Sequence, residues 1–289
     1  MEKIIVSVPG KVIIAGEYAV VYGEQALVAT VDKRLRVKIE WLKENKIIIE
    51  DKYKDLRLTK MAVKACLQEV GKLSGGVKII IDSEIPVGSG LGSSAAMATA
   101  VAWGMLKDRS EKVKNKVVKL IENKQHGRAS GVDQTIVREG GVLRYKKSEG
   151  FKKIKLNGLK NLLLIDSGKP VESTGEMVAM VGKKKDEYKD VFKKMGEISN
   201  DWKPLKIKEN QRLLEKIGVV GDRARVMVEK IEEVGGMAKV CGAGGVKKGS
   251  GILLGWHQDI DNLVKLAEKD RWQYYQVKLG VEGVKYEKN

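Results

Sequence analysis

One short stretch of the chain combines glycines and hydroxyl side chains in a pattern that suits an anion. Residues 85–96 read IPVGSGLGSSAA, with glycines at 88, 90 and 92 followed by Ser93 and Ser94. Glycine reaches backbone angles that other residues avoid, and the start of a helix presents unpaired N–H groups at its positive end. The stretch therefore predicts a loop that cradles phosphate, with the serine hydroxyls turned to phosphate oxygens or to Mg²⁺.

Two better-known phosphate loops do not fit this stretch. A Walker A loop ends in Gly-Lys-Ser/Thr, and no lysine follows the glycines here. A dinucleotide fingerprint needs Gly-x-Gly-x-x-Gly, whereas the third glycine, Gly92, comes one residue early. Taken by itself, the loop is also compatible with a glycine-rich turn that packs a helix closely against a sheet.

Charged residues elsewhere in the chain supply the other groups that phosphoryl transfer needs. Lys11 and Glu17 lie in SVPGKVIIAGEYAVVYG, and Glu122 and Asp133 lie in ENKQHGRASGVDQTIVREGG. A second glycine-rich loop occurs in KVCGAGGVKKGSGILLG. Phosphoryl transfer requires positioning, neutralisation of charge by Mg²⁺ and a cation, and a group that orients the hydroxyl. Each residue alone is also compatible with a surface lysine, a solvated carboxylate or a turn aspartate, but the set in this order favours phosphoryl transfer.

The order of these segments resembles the superfamily of galactokinase, homoserine kinase, mevalonate kinase and phosphomevalonate kinase. Its three motifs, PGK…GE, PxGxGLGSSAA and GAGG, are present between Ser7 and Gly255. HGRASGVD further resembles the His-Gly-x-x-Ser-Gly-x-Asp signature of the mevalonate kinases, and DSGKPVEST resembles the strand and helix start that follow it there. The resemblance implies an α+β fold of two domains with the active site between them. Residues 1–157 would form a ribosomal-protein-S5-domain-2-like domain with the phosphate loop, and residues 158–289 a ferredoxin-like domain.

The same resemblance implies a role for each matching residue. Asp133 would act as the base toward the substrate hydroxyl with Lys11 beside it, and Ser94 and Glu122 would bind Mg²⁺. The nucleotide phosphates would lie against a cradle formed by Ser83, Gly88, Ser89, Gly90, Leu91, Gly92, Ser93 and Ser94. The acceptor would contact Lys11, Glu17, Tyr18, Asp133 and Thr174.

The activity that the resemblance implies is ATP-dependent phosphorylation of the primary hydroxyl of mevalonate to 5-phosphomevalonate, in isoprenoid biosynthesis. ATP and Mg²⁺ are the expected cofactors. A phosphomevalonate kinase or a sugar kinase of the same superfamily is an alternative, and a non-catalytic nucleotide-binding protein is the alternative from another class. Loss of Lys11, Glu122 or Asp133 would favour the non-catalytic protein, and all three residues are present.

The chain departs from the mevalonate kinase pattern at three places. Tyr18 follows Glu17 where those enzymes usually have histidine, and residues 128–129, Arg-Ala, stand where Asn-Pro or Thr-Pro is common. The second glycine-rich loop, Gly242–Gly251, is called the late loop below, and it carries extra residues around the Val-Lys-Lys of residues 246–248. The first two differences predict a change in the acceptor pocket, and the third predicts a change in closure over the nucleotide. His126 matches the signature, and we assign it a structural hydrogen bond.

Apolar patterning predicts the elements that position the first motif and the phosphate loop. EKIIVSV and KVIIA are expected to form two strands around a turn at Pro9-Gly10, and alternation from Val31 to Ile39 predicts another strand. An amphipathic helix is expected to end at Gly75-Gly76 because apolar residues recur at helical spacing at Val63, Cys66, Leu67 and Val70. The strand VKIIID leads into the phosphate loop, and the helix SSAAMATAVAWGML follows it.

The second half of the chain predicts a smaller set of elements. NLLLIDS and SGILLGW are apolar runs that predict strands. The late loop, Gly242–Gly251, is expected between a helix and the second of these strands. A long helix is expected to include Ala224, Met227, Val228 and Ile231.

Composition and charge limit the classes of protein that fit. The chain has 289 residues, a net charge of +17 and 5% aromatic residues. Because acidic residues are interleaved with the lysines and few aromatics could stack on bases, we expect a solvated surface that steers anionic ligands, and no nucleic-acid partner.

The sequence also leads to expectations about the location of the protein, its partners and its cysteines. No apolar run could span a membrane, and Met1–Ala15 does not resemble a secretory signal, so we expect a cytoplasmic protein with no membrane partner. Mevalonate is the expected small-molecule partner and a homodimer the candidate assembly. Cys66 and Cys241 are expected to be buried thiols.

Overall fold

Two β-sheets organise the chain in a computed structural model, which describes residues 3–51, 56–71, 75–86, 88–126, 130–156 and 160–288. The strands are β1 (Lys3–Ala15), β2 (Ala26–Leu42), β3 (Ile47–Asp51), β4 (Gly76–Ser83), β5 (Val142–Lys146), β6 (Gly150–Ile154), β7 (Leu162–Asp166), β8 (Met237–Val240), β9 (Ile252–Trp256), β10 (Tyr274–Gln276) and β11 (Lys285–Glu287). The helices are α1 (Leu56–Val70), α2 (Ser93–Met105), α3 (Glu111–His126), α4 (Val132–Glu139), α5 (Thr174–Gly182), α6 (Lys189–Asn200), α7 (Lys206–Lys216), α8 (Asp222–Glu233) and α9 (Ile260–Lys269). A 3-10 helix, Ala19–Tyr22, follows β1.

The first sheet is built around the long strand β2. The order of its main path is β11-β1-β2-β4-β3. Strand β2 pairs with β4 through residues 35–42 and with β5 through residues 26–29, and β6 pairs with β5. Of these pairings only β3 with β4 is parallel among the described strands. The C-terminal strand β11 joins this sheet by pairing with β1.

Helix α2 lies against the first sheet and is buried on all sides. Every residue from Ala95 to Met105 is buried, and most have small side chains. A Cβ atom at Gly104 would lie 2.4 Å from Cδ1 of Ile39, so the helix approaches β2 closely. The small side chains therefore let α2 run through the core, and its first turn meets the phosphate loop.

The second sheet has the order β10-β7-β9-β8 and is antiparallel throughout. Helices α8 and α9 pack against it. The apolar face of α8 is buried, which confirms the helix predicted from Ala224, Met227, Val228 and Ile231. The strands predicted in NLLLIDS and SGILLGW are confirmed as β7 and β9, and the α+β fold class is confirmed. The predicted domain boundary between residues 157 and 158 lies outside the described residues, and the division into two domains stays a prediction.

Three predictions of local structure were wrong. Strand β1 continues through Pro9-Gly10, because an irregularity in its pairing with β2 accommodates the proline without a turn. Helix α1 ends at Val70, because Gly71 adopts a φ of 83° and Gly76 already begins β4. Strand β8, and not a helix, precedes the late loop, because residues 237–240 are fully buried and pair with β9.

The described helices are also short. None of them in the described ranges combines the length and the apolar character that a membrane crossing requires.

Candidate active site

A cavity of about 430 Å³ is lined by segments from both halves of the chain. Its walls come from the first motif, the phosphate loop with the start of α2, the end of α3, the starts of α4 and α5, and the late loop. The predicted site residues that line the cavity are Lys11, Glu17, Tyr18, Ser83, Gly88, Gly90, Gly92, Ser93, Ser94, Glu122, Asp133 and Thr174. The fold therefore brings together groups that the sequence separates widely.

The three glycines of the phosphate loop all need glycine for their backbone conformation. Gly88, Gly90 and Gly92 have φ values of 74°, 84° and 76°, in the left-handed region that other residues rarely adopt. Space is also limited, because a Cβ at Gly92 would lie 2.6 Å from Cγ of Lys11. Gly92 is the N-cap of α2 and provides no side-chain cap. The first N–H groups of α2 are thus left for another acceptor at the cavity wall.

Three of the predicted cradle residues make hydrogen bonds within the protein itself. Oγ of Ser83 accepts a hydrogen bond from the Ile85 amide at 3.1 Å. Ser89 and Leu91 do not line the cavity among its described residues. Ser89 donates from its hydroxyl to the carbonyl of Pro86 at 2.8 Å, and the backbone carbonyl of the buried Leu91 accepts from the Lys11 amide at 2.9 Å. Any contact of these two residues with a phosphate would therefore be made by the backbone.

Lys11 and Asp133 form an ion pair at the cavity. Nζ of Lys11 lies 3.1 Å from Oδ1 of Asp133, and the two side chains are 3% and 34% exposed. Asp133 lies in the first turn of α4, which begins after Gly131 with a φ of 87°. A Cβ at Gly131 would lie 2.7 Å from the hydroxyl oxygen of Tyr145, so the turn is tightly packed. The carboxylate is thus held by a rigid helix start and stays open to the cavity.

Ser94 and Glu122 also meet, as the prediction of a shared Mg²⁺ requires. Oγ of Ser94 lies 2.8 Å from Oε1 of Glu122 and 2.9 Å from Oε1 of Gln125. The hydroxyl has one proton and donates to one of these oxygens at a time. Burial and the negative charge of Asp133 raise the pKa of Glu122 to about 7, against the opposing effects of the Ser94 hydrogen bond and Lys11. The negative charges of Glu122 and Asp133 thus favour the binding of a cation near the Ser94 hydroxyl.

Glu17 lines the cavity wall but belongs to a second ion pair that has almost no exposed surface. Its Oε1 contacts Nζ of Lys239, and its Oε2 accepts a hydrogen bond from Nδ2 of Asn210 at 3.1 Å. Lys239 also donates to the carbonyl of Ile13 at 3.0 Å. Glu17 and Lys239 are 1% and 0% exposed. Both carboxylate oxygens of Glu17 are therefore engaged by the protein, and the expected contact with the acceptor stays a prediction.

Tyr18 connects the first motif to the late loop. Its hydroxyl donates to the carbonyl of Ala243 at 2.5 Å. The side chain is buried and also lines the cavity. Burial, followed by the charges of Tyr22 and Glu17, raises the pKa of Tyr18 above its ordinary value, so it remains a neutral donor.

Helix α5 holds Thr174 at the cavity wall through its capping interactions. Ser173 is the N-cap, and its Oγ accepts from the Glu176 amide at 3.3 Å while its own amide donates to Oε2 of Glu176 at 2.7 Å. Lys169, just before this helix, also lines the cavity. A Cβ at Gly88 would lie 3.2 Å from Cε of Lys169, so the lysine lies against the phosphate loop.

Sequence reasoning missed Gln125, Lys169 and Lys239. Gln125 follows Glu122 by three positions on α3, and this spacing places both on one face of the helix, so the signal was available. Lys239 lies between apolar residues in β8, where a buried lysine requires a partner, but the sequence does not identify that partner. Lys169 has no distinguishing local pattern beyond its place in DSGKPVEST.

Some predictions fall outside the described part of the chain. Residues 128–129 are not described, so the expected effect of Arg-Ala on the acceptor pocket stays a prediction. His126 ends α3, and its side chain likewise lies outside what the structure describes. Cys66 and Cys241 are both buried and free, which confirms the expectation of buried thiols.

Comparison with known proteins agrees with this geometry. Residues 57–141 match the family described as the GHMP kinases N terminal domain. The mevalonate kinase of Archaeoglobus fulgidus is 32% identical, over 83% of this chain and 89% of the relative, and that of Pyrococcus furiosus is 30% identical, over 85% of each. A crystal structure of a mevalonate kinase superposes with a TM-score of 0.81 at 26% identity and covers 96% of this chain and 99% of its own. The chain belongs to the mevalonate kinase family, within the GHMP kinases.

Proposed function

We propose that the protein transfers the γ-phosphoryl group of ATP to the primary hydroxyl of mevalonate and releases 5-phosphomevalonate and ADP. The observation that carries the proposal is the Lys11–Asp133 pair, which lies in the same cavity as the phosphate loop. The family of the chain and the names of its relatives support mevalonate as the acceptor. The place of the reaction would be isoprenoid biosynthesis.

The nucleotide phosphates would bind where helix starts surround the cavity. Ser93 and Ser94 at the start of α2, Asp133 at the start of α4 and Thr174 at the start of α5 all line it. Helix starts present free N–H groups and a positive dipole end, and α2 adds three glycines that leave its approach open. We assign α2 and the phosphate loop to ATP, because Asp133 makes the start of α4 unsuitable for a second anion.

The acceptor hydroxyl would bind beside Asp133. Its oxygen attacks the γ-phosphorus, the bond from that phosphorus to the bridging oxygen of ADP breaks, and the hydroxyl proton passes to Asp133. Lys11 is held beside Asp133 and adds a positive charge next to the transferred group. Thr174, at the start of α5, also lines the cavity and would contact the rest of the acceptor.

The residues at Ser94 fit a Mg²⁺ ion that arrives with the nucleotide. Mg²⁺ prefers hard oxygen ligands and usually keeps several waters. A hydroxyl and a buried carboxylate lie 2.8 Å apart here, and burial, followed by the negative charge of Asp133, raises the pKa of Glu122 to about 7. The described residues contain no group of three or more His, Cys, Asp and Glu that could hold a metal alone. Ser94 and Glu122 would therefore hold the ion together with phosphate and water oxygens, and the ion would neutralise charge on the phosphates.

One assay tests the proposal. ADP release is measured with ATP and Mg²⁺ and, in turn, mevalonate, phosphomevalonate, homoserine and galactose as acceptor. We expect the highest kcat/KM with mevalonate. A clear preference for homoserine or galactose would contradict the proposal, as would an absence of ADP release with every acceptor.

Phosphomevalonate is a second candidate acceptor, and one observation favours it. Tyr18 stands where the mevalonate kinases usually have histidine and where phosphomevalonate kinases often have tyrosine. A preference for phosphomevalonate in the same assay would select this candidate. Cytoplasmic location and a homodimer stay predictions.

A further inference from the structure

The late loop, Gly242–Gly251, forms one wall of the cavity, and this loop and the preceding Cys241 lie directly against the phosphate loop. A Cβ at Gly90 would lie 2.9 Å from the carbonyl oxygen of Cys241 and 3.9 Å from Cα of Gly242. The amide of Ile252, at the end of the loop, donates to the carbonyl of Ser89 at 3.1 Å. A displacement of the late loop would therefore change the surface that faces the phosphates.

The C-terminal end of the late loop is held by residues 167–168, which follow β7. The amide of Gly251 donates to the carbonyl of Gly168 at 2.9 Å, and the amide of Ser250 donates to the hydroxyl of Ser167 at 2.9 Å. The exposed residues 246–248 reach out to the segment before α5, where the amide of Lys247 donates to Glu172 at 3.1 Å. These contacts fix the loop on the side of α5.

The other end of the late loop is held by Tyr18. The tyrosine hydroxyl donates to the carbonyl of Ala243, and the neighbouring Glu17 pairs with Lys239 just before the loop. Tyr18 has a φ of 61°, a conformation that non-glycine residues seldom adopt and that the surrounding contacts must maintain. The single hydroxyl proton is committed to Ala243 and is not available to an acceptor molecule.

We propose that Tyr18 is a positioning residue that holds the late loop against the phosphate loop and so sets the affinity for the nucleotide. It acts through Ala243, and the extra residues 246–248 are held by Glu172 at the opposite side. Two departures from the family pattern, Tyr18 and the extra residues 246–248, thus act on the same loop through different contacts. The inference rests on the proposed function only for the identity of the nucleotide. It differs from the expectation that Tyr18 serves the acceptor, and one substitution separates the two.

The test removes the hydroxyl alone with Tyr18→Phe. Amide hydrogen exchange is followed in peptides covering the late loop, in which the amides of Lys247, Ser250 and Gly251 donate to Glu172, Ser167 and Gly168, and the amide of Gly245 donates to Val219. We expect exchange in this loop to accelerate by about fivefold and the Kd for ADP or a non-hydrolysable ATP analogue to rise by about fivefold, the range of one lost hydrogen bond. KM for mevalonate should stay at the parent value. Exchange in the β5–β6 hairpin, residues 142–154, should not change.

Tyr22→Phe is the matched control. Tyr22 lies four positions further on, stacks on Phe192 with ring centroids 4.4 Å apart and does not line the cavity in the described structure. Tyr22→Phe removes the same phenolic hydroxyl as Tyr18→Phe, and we expect it to show the parent values of late-loop exchange, nucleotide Kd and kcat. If Tyr18→Phe does not fold, as judged by its thermal unfolding midpoint, Tyr18→Met, whose side chain has no O–H or N–H to donate, is measured in its place with the same expectation.

Two results would overturn the inference. Parent-like exchange and nucleotide affinity in Tyr18→Phe would show that the hydroxyl does not hold the loop. A rise in KM for mevalonate with unchanged nucleotide affinity would show that the hydroxyl serves the acceptor. Hydrogen exchange and nucleotide binding need no acceptor, so a failure of the proposed function would be seen in the ADP-release assay while these two measurements still decide the inference.

Discussion

The first motif contributes to two lysine–carboxylate pairs that differ mainly in how exposed the carboxylate is. Lys11 pairs with Asp133, whose side chain is 34% exposed, whereas Glu17 pairs with Lys239 and both are at most 1% exposed. Asn210 and the carbonyl of Ile13 complete the enclosed pair. Both pairs consist of a lysine ammonium group and a carboxylate, but the two pairs have different roles. An open pair offers a carboxylate to a substrate, whereas an enclosed pair joins two parts of the fold and makes either charge costly to remove.

The largest effect is expected when one partner of the enclosed pair is removed. Lys239→Met leaves the carboxylate of Glu17 buried without its cation, so the free energy of unfolding should fall by about 3–5 kcal/mol. Denaturant unfolding measures this change. The same substitution at Lys206, whose pair with Glu209 is exposed, should lower it by less than about 1 kcal/mol.

Replacing both partners tests whether the effect comes from the unpaired charge. The double variant Glu17→Leu with Lys239→Met should recover much of the lost free energy, because no charge remains buried. Equal losses in the exposed and the enclosed variant would contradict the distinction between the two pairs.

The pair that opens to the cavity should show a large loss of rate and a smaller loss of stability than the enclosed pair, because Lys11 is 3% exposed but its partner Asp133 is 34% exposed. Asp133→Asn keeps the shape of the side chain and removes its charge, so kcat should fall by about two orders of magnitude, or about 2.7 kcal/mol in activation free energy. ATP affinity should barely change. The control is Asp222→Asn, which removes a charge from the first turn of α8 outside the cavity and should keep the parent rate. Near-normal turnover in Asp133→Asn would refute the assignment of Asp133.

A smaller effect is expected at Glu122, because metal concentration can offset it. Glu122→Gln keeps an oxygen and loses the charge, so the Mg²⁺ concentration for half-maximal rate should rise by about tenfold at fixed ATP. Rate against Mg²⁺ is measured beside Asp133→Asn, whose loss no amount of metal should restore. A titration like that of the parent protein would mean that Glu122 is not a ligand.

Two kinds of site residue were predictable from the sequence: glycines that the backbone conformation requires, and residues that belong to a short motif. The φ values of Gly88, Gly90 and Gly92 were predictable because glycines at alternate positions before a helix favour left-handed backbone angles. The meeting of Ser94 and Glu122 was implied by the family resemblance and needed no knowledge of distances. The fold class followed from the same motifs, and five of the eleven described strands, β1, β2, β4, β7 and β9, were indicated by apolar or alternating runs.

The enclosed pair was not predictable, and the reason is physical. Glu17 and Lys239 lie on different elements far apart in sequence, and neither local pattern specifies the partner. The strand through Pro9-Gly10 was also missed, because proline and glycine indicate a turn unless pairing with a neighbouring strand overrides them. Local signals therefore identified the chemistry of the site, whereas tertiary contacts decided which charges face the cavity.

The central claim is that Asp133 acts in the reaction and Glu17–Lys239 acts in the fold. It is tested most directly by measuring kcat and the thermal unfolding midpoint on the same preparations of Asp133→Asn and Lys239→Met. The account predicts that Asp133→Asn loses about a hundredfold in kcat and lowers the midpoint less than Lys239→Met does, whereas Lys239→Met has a clearly lower midpoint and keeps most of its rate at temperatures where it is folded. A parent-like kcat in Asp133→Asn, or a midpoint in Asp133→Asn at least as low as that of Lys239→Met, would contradict it.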